Sequence, residues 1–173
     1  MHRLMLLRHA KTVASDPGGD RARPLNERGR KDAPGIGAYM KRERLLPDLV
    51  LCSPARRTRQ TFELMAAALP AVPPVSFEDD LYLASPEAIL ALIRAANPQM
   101  QTLLVIGHNP GMHQAALALA ATGRSRHHSL LQSKFPTAAL AVLDFEIRDW
   151  AEIAPGRGIL ERFVTPRGLA DME

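Results

Sequence analysis

Six short apolar runs are spread along the chain, and between most of them lie stretches with the three-to-four-residue spacing of amphipathic helices. The runs cover residues 3–7, 49–52, 75–77, 102–106, 138–145 and 159–164. Strand-length runs alternating with helical patterns predict an α/β fold with a largely parallel sheet. Asn26 caps a predicted helix reaching about residue 41, with a kink or restart at Pro34. Ser53-Pro54 and Asn109-Pro110 repeat one device, a capping side chain followed by proline in the first helical position. They predict helices to about residues 69 and 121, and a further helix is predicted over 86–95. The last two runs are joined through Gly156 and Gly158, which predicts an antiparallel pair at one edge of the sheet. No internal repeat, low-complexity tract or linker interrupts the pattern, so residues 1–173 read as one domain.

Three of the predicted strands run directly into polar residues. Residues 3–7 end at Arg8-His9, residues 49–52 at Ser53 and an arginine-rich turn, and residues 102–106 at Gly107-His108-Asn109. The carboxyl ends of parallel strands lie along one edge, where ligands bind. Segments about fifty residues apart can therefore converge there. Two of them lead into helix N-termini, whose amides and dipole favour an anion. Two histidines, at least two arginines and two helix starts on one edge describe a site for a phosphoryl group.

The arginine contributed by the second segment is one of Arg56, Arg57 and Arg59. At about 100° per residue, Thr58, Thr61, Phe62, Met65 and Leu69 form the inward stripe of that helix. Arg56 falls nearly opposite the stripe and reads as solvated. Arg57 and Arg59 flank it, and Arg57 lies closer to the helix start, so geometry modestly prefers Arg57.

Composition narrows the picture. Hydrophobic residues make up 46% of the 173 and charged residues 23%, a globular balance. The lone cysteine, Cys52, sits in an apolar run and reads as a core residue, which fits a reducing, cytoplasmic compartment. The four apolar residues Leu4 to Leu7 are too few for a signal-peptide core or a membrane span. The formal net charge is +4, which suits anionic partners. The dense basic run Arg21, Arg23, Arg28, Arg30 and Lys31 has no interleaved aromatics and reads as a solvated loop and helix face, so no nucleic-acid partner is expected. His113 reads as a packed or edge residue of its helix. His127-His128, among Arg124, Ser125, Arg126 and Ser129, reads as a solvated loop. No cluster at metal-ligand spacing is visible, and neither a metal nor another cofactor is expected.

The segments Leu7-Arg8-His9-Ala10-Lys11, Arg23-Pro24-Leu25-Asn26-Glu27-Arg28-Gly29, Ser53-Pro54-Ala55-Arg56-Arg57-Thr58 and Gly107-His108-Asn109-Pro110-Gly111 together resemble the histidine phosphatase superfamily, and within it the SixA-type phosphohistidine phosphatases. The resemblance runs from residue 3 to about 122. It implies a three-layer α/β/α, phosphoglycerate mutase-like fold, a nucleophilic His9, phosphate-binding Arg8 and Arg57, and a second histidine at His108. The family arginine lies four residues after the serine, which selects Arg57. Thr58 stands where the family often has alanine. Many members carry a glutamate proton donor in a Leu-x-Glu segment; here the segment reads Leu81-Tyr82-Leu83, and Leu83 takes that place. Glu78, Asp79, Asp80 and Glu87 are nearby and read as surface charge.

The implied chemistry has two steps, attack by neutral His9 on phosphorus and hydrolysis of the resulting phosphohistidine. Two guanidiniums and His108 would carry the charge of the transferring group. Little chain separates Arg57 from His108 for a covering insertion, so an open site is expected, suited to a phosphate displayed on a protein. A small-molecule or sugar-phosphate phosphatase, a mutase and a phosphate-binding module without turnover are the alternatives.

Overall fold

A computed structural model describes residues 1–123 and 125–172. Its sheet has six strands: β1 (His2–Arg8), β2 (Leu49–Cys52), β3 (Val75–Phe77), β4 (Thr102–Gly107), β5 (Leu140–Phe145) and β6 (Ile159–Val164). Their order is β3-β2-β4-β1-β5-β6. The first four pair in parallel, and β5 pairs antiparallel with both β1 and β6. The fold is a mostly parallel α/β sheet with an antiparallel edge, as the pattern of runs predicts.

Among the described residues six α-helices cover it: α1 (Glu27–Arg42), α2 (Arg56–Ala67), α3 (Pro86–Arg94), α4 (Gly111–Leu119), α5 (Arg126–Ser133) and α6 (Pro166–Asp171). Side chains alternate across each strand, so β1 serves two cores. Leu4 and Leu6 pack with residues of α3, α4 and α5, among them Ile89, Ile93, Met112 and Leu131. Met5 and Leu7 pack with residues of α1 and α2, including Ile36, Met40, Phe62 and Met65. Both faces are thereby covered and three layers result. Cys52 lies in the second core with its thiol pushed up to about 12 by burial, so it is a packed residue and not a reactive one.

Several boundaries differ from expectation. One continuous helix runs through Pro34, capped by the Asn26 side chain on the Gly29 amide. Ser53 does not cap α2, which starts three residues later. Its hydroxyl instead meets His108, and its carbonyl accepts from the Thr58 hydroxyl at 2.7 Å. Asn109 is likewise one residue outside the assigned cap of α4, although its Oδ1 still accepts weakly from the His113 amide. β5 starts at Leu140, because Ala138 has a left-handed φ of 58° and its amide turns to the carbonyls of Arg8 and His9. Most of the segment expected as a solvated loop at 124–129 enters α5, capped by Ser125 on the His128 amide. His127 is half-buried there, and its Nδ1 accepts from the Phe163 amide at 3.1 Å. Arg124 lies outside the described residues. His113 matches its expected role, half-buried with Nε2 on the Leu131 carbonyl. Among the described residues no helix is long and apolar enough to cross a membrane.

Candidate active site

Register brings the three motif ends together. Arg8 pairs with Gly107 across β1 and β4, and Cys52 pairs with Ile106 across β2 and β4. His9, Ser53 and His108 therefore leave the sheet side by side. Because β5 runs the other way, with Leu140 opposite Leu7, the segment 135–139 arrives at the same edge. The Ala10 amide donates to the Thr61 hydroxyl of α2 at 3.0 Å, which ties the turn after His9 to the helix bearing Arg57. Gly29 lets α1 approach that turn: a Cβ there would lie 2.1 Å from the Lys11 carbonyl oxygen. The glycine of the Asn26-Glu27-Arg28-Gly29 segment thus has a steric reason.

A cleft of about 470 Å³ opens at this edge. Arg8, His9, Arg57 and His108 all line it, so the four residues singled out in the sequence lie together. Arg57 is 1% exposed and belongs to the buried face of α2. Arg56 is exposed, touching the Ala22 carbonyl at 3.3 Å, and Arg59 is exposed over the Phe77 ring. The helix register read from the stripe is the observed one.

The two imidazoles lie 5.5 Å apart between ring centres. His9 Nδ1 is 2.8 Å from the Ala10 carbonyl, which can only accept, so the proton sits on Nδ1 and Nε2 carries the lone pair. His108 Nε2 is 2.7 Å from the Ser53 hydroxyl. With the hydroxyl as donor, the ring proton of His108 sits on Nδ1. Burial, reinforced by the neighbouring Arg8 and Arg57 charges, pushes His9 down to about 3. Burial, then the charge that His9 would carry if protonated and the Arg57 guanidinium, push His108 down to about 3 as well. Both rings are neutral at ordinary pH, and a neutral imidazole is what a nucleophile requires.

Three buried nitrogens in this cluster have no hydrogen-bond partner: Arg8 Nε, Arg57 Nε and His108 Nδ1. Leaving a buried donor unmatched costs about 1–3 kcal/mol. Two of these nitrogens belong to guanidiniums, and the neutral His108 ring adds a third donor when its proton sits on Nδ1; unmatched donors on cleft-lining side chains suit an oxyanion. Both terminal nitrogens of Arg57 and one of Arg8 are held by the protein. Arg8 Nη1 donates to the Phe135 carbonyl at 3.2 Å, and Arg57 Nη1 and Nη2 donate to the Asp20 carbonyl and carboxylate at 2.8 and 3.1 Å.

Asp20, Arg23, Lys11 and Thr137 also line the cleft, and none was selected from the sequence as a site residue. Asp20 begins a 3-10 turn (Asp20–Ala22) in a loop with no periodic pattern. It accepts from Tyr82, Arg57 and Arg23. The Tyr82 hydrogen bond and the Arg57 charge hold its carboxyl down at about 2. Arg23, read as part of a solvated basic face, is instead half-buried, and its Nη1 donates to the Thr12 hydroxyl and the Val13 carbonyl. Leu83 lines the cleft with a left-handed φ of 49°, while Glu78, Asp79, Asp80 and Glu87 do not line it. Among the described residues no group of three or more His, Cys, Asp or Glu side chains is placed to hold a metal ion.

The depressed histidines set the acid behaviour of the fold. Their folded values lie below the unfolded reference of about 6.5, so below that pH the unfolded chain binds more protons. Stability is therefore present above about pH 6.5 and is lost as pH falls towards 3, each histidine contributing up to about 1.4 kcal/mol per pH unit. Asp20 adds a loss in the same direction, but only below about pH 4. Urea melts of wild type and His108→Asn at pH 7 and pH 5 test this. The variant should lose less stability on acidification; parallel losses would mean that His108 is not held neutral by the fold.

Residues 4–82 match the model of the histidine phosphatase superfamily (branch 1). The chain is 34% identical to the uncharacterized protein Rv1276c of Mycobacterium tuberculosis, over 93% of this chain and 100% of that one. Among solved structures it is similar to a "putative phosphohistidine phosphatase SixA" from Agrobacterium tumefaciens, with 36% identity, a TM-score of 0.78 and 95% and 98% of the two chains covered. A protein of the same description from Nakamurella multipartitia superposes with a TM-score of 0.82 at 30% identity, over 95% and 96% of the chains.

Proposed function

This chain belongs to the histidine phosphatase superfamily, on its SixA-like branch, and from that premise we propose that it hydrolyses phosphohistidine on a protein substrate through a phosphorylated His9. The observation that carries the reading is the trio of unmatched buried donors around a histidine held neutral with its Nε2 lone pair available. In the first step that lone pair attacks phosphorus in line, the P–N bond to a substrate imidazole already protonated on its distal nitrogen breaks, and the departing ring keeps that proton and leaves as the neutral base. In the second, water attacks the phosphoryl group on Nε2, the P–Nε2 bond breaks and inorganic phosphate departs. Arg8 Nε, Arg57 Nε and His108 Nδ1 hold the phosphoryl oxygens through both steps, the role in which preorganised donors are most effective. The substrate is taken to be a phosphorylated protein, such as a phosphorelay component, because the cleft lies open along the strand ends. A cytoplasmic setting fits the buried, reduced Cys52. The resemblance to proteins named for phosphohistidine supports this substrate over sugar phosphates.

The test is phosphate release from a phosphohistidine-bearing protein in the presence of EDTA, beside aryl and sugar phosphates. Turnover should persist under chelation, since the cationic groups of the cleft are side chains. Binding of the phosphoprotein without release would leave a phosphate-binding module. Loss restored by a divalent ion would replace the mechanism.

Arg57 and Arg56 give a paired prediction. Arg57→Ala removes a charge-assisted clamp worth about 1.5–3 kcal/mol, which lowers kcat/KM by about 10–100-fold. Arg56→Ala removes an exposed side chain, and stability should change by no more than about 0.5 kcal/mol, with activity kept. Equal losses of activity in the two variants would overturn the assignment of the clamp.

A further inference from the structure

A second cleft, of about 480 Å³, lies between α1, α5 and α6 and meets the first at Thr137, which lines both. Four exposed cations rim it: Arg28 of α1, Arg126 of α5, Lys134 just after α5, and Arg167 of α6. Asp171 is the one acidic side chain lining it among the described residues. Arg28 has Asp32 at 3.5 Å, whereas Arg126, Lys134 and Arg167 form no ion pair with a described residue. Leu130, 42% exposed, Pro136 and Phe163 give the cleft an apolar component. The segment carrying Lys134 and Pro136 also contains Phe135, whose carbonyl holds Arg8. The cationic cleft is thus continuous with the phosphate site.

We propose that this cleft docks an acidic face of the phosphorylated protein whose phosphohistidine enters the neighbouring site; the inference rests on the phosphohistidine reading above. Two observations select a protein face over a second anionic group on a small molecule. Among the described residues the buried unmatched nitrogens all belong to side chains of the first cleft, and none lines the second, where a small anion would need built donors. The second cleft's cations are exposed and share the lining with apolar side chains, the mixture found where an interface has an apolar core and a polar rim. Exposed charges of one sign act at longer range, raising the rate at which an oppositely charged partner meets the surface.

Charge reversal at Arg126 and Arg167, neither of which lines the first cleft, is the test. Wild type, Arg126→Glu/Arg167→Glu and Arg126→Lys/Arg167→Lys are compared on two substrates. One is a histidine-phosphotransfer domain of net negative charge, phosphorylated with phosphoramidate; the other is p-nitrophenyl phosphate. Binding of the unphosphorylated domain and of a short RNA is measured alongside. The Glu variant should lose about tenfold or more in kcat/KM on the protein and bind it correspondingly less, with p-nitrophenyl phosphate turnover unchanged. The Lys variant should keep wild-type values, and the difference between Glu variant and wild type should shrink as salt is raised. Unaltered binding and turnover of the domain in the Glu variant would overturn the proposal, as would equal losses on both substrates. Selective loss of binding to a short RNA, with the domain unaffected, would also overturn it. Failure of the phosphohistidine reading looks different: the wild type would leave the phosphorylated domain intact while hydrolysing p-nitrophenyl phosphate.

Discussion

His9→Ala is expected to reduce turnover to background, a loss of about four orders of magnitude or more, and to leave the fold intact. The size of the effect follows from the role of the ring. Without a nucleophile the two-step route is closed, and the remaining donors can only bind the substrate. The fold should tolerate the change because His9 lies just past the end of β1, and its one side-chain hydrogen bond among the described residues is to the adjoining Ala10 carbonyl. Removing a buried imidazole held at about 3 also removes part of the acid sensitivity, so the variant should resist unfolding at pH 5 relative to its own stability at pH 7 better than wild type does. The covalent step has its own signature. A phosphoryl group on Nε2 is a phosphoramidate, labile in acid and stable in base. Substrate labelled in the phosphoryl group, mixed rapidly and quenched in alkali, should leave label on the wild-type chain at His9 and none on the variant. Label on another residue, or full activity in His9→Ala, would remove His9 from the mechanism.

Much of this site was legible in the sequence because its parts are local. Apolar runs ending at Arg8-His9, Cys52-Ser53 and Gly107-His108 mark strand ends, and parallel pairing then brings these ends to one edge. Arg57 could be separated from Arg56 because a helix repeats every 3.6 residues and Thr58, Thr61 and Phe62 fix its inward face. What stayed hidden depends on contacts between distant segments. Ser53 looks like a cap when only its next three neighbours are considered; His108, 55 residues on, engages its hydroxyl instead. Asp20 sits in a loop without periodicity, and only the folded chain brings Arg57 and Tyr82 to its carboxylate. The short helix α5 buries chiefly Leu131, so it leaves almost no apolar stripe to read, and its Ser125 cap was the one available signal.

The cleft also bears on the substrate class. A positioned general acid contributes about 10²–10⁴-fold when the leaving group needs a proton. Leu83 lines the cleft, and the resemblance of Leu81-Tyr82-Leu83 to the Leu-x-Glu segment of many superfamily members implies that it takes the place of their glutamate. The nearby Glu78, Asp79, Asp80 and Glu87 do not line it. The carboxylate that does, Asp20, is held at about 2 by Tyr82 and Arg57, so at neutral pH it is ionised and has no proton to give. An alkoxide leaving from phosphoserine or a sugar phosphate is a strong base and suffers from that lack. Imidazole, with a reference pKa of about 6.5, does not. Once the distal nitrogen of a phosphohistidine ring is protonated, the ring departs neutral with no proton needed on the bridging nitrogen. The expected result is a kcat/KM on a phosphohistidine peptide that exceeds that on a phosphoserine peptide of the same sequence by at least about 10²–10⁴-fold, with acidic aryl phosphates between. Asp20→Asn supplies the control. If the two peptides react equally in the wild type and only phosphoserine hydrolysis collapses in Asp20→Asn, then Asp20 delivers the proton and the preference inferred from Leu83 is wrong. If phosphohistidine remains strongly preferred in both proteins, the leaving group itself makes the general acid unnecessary.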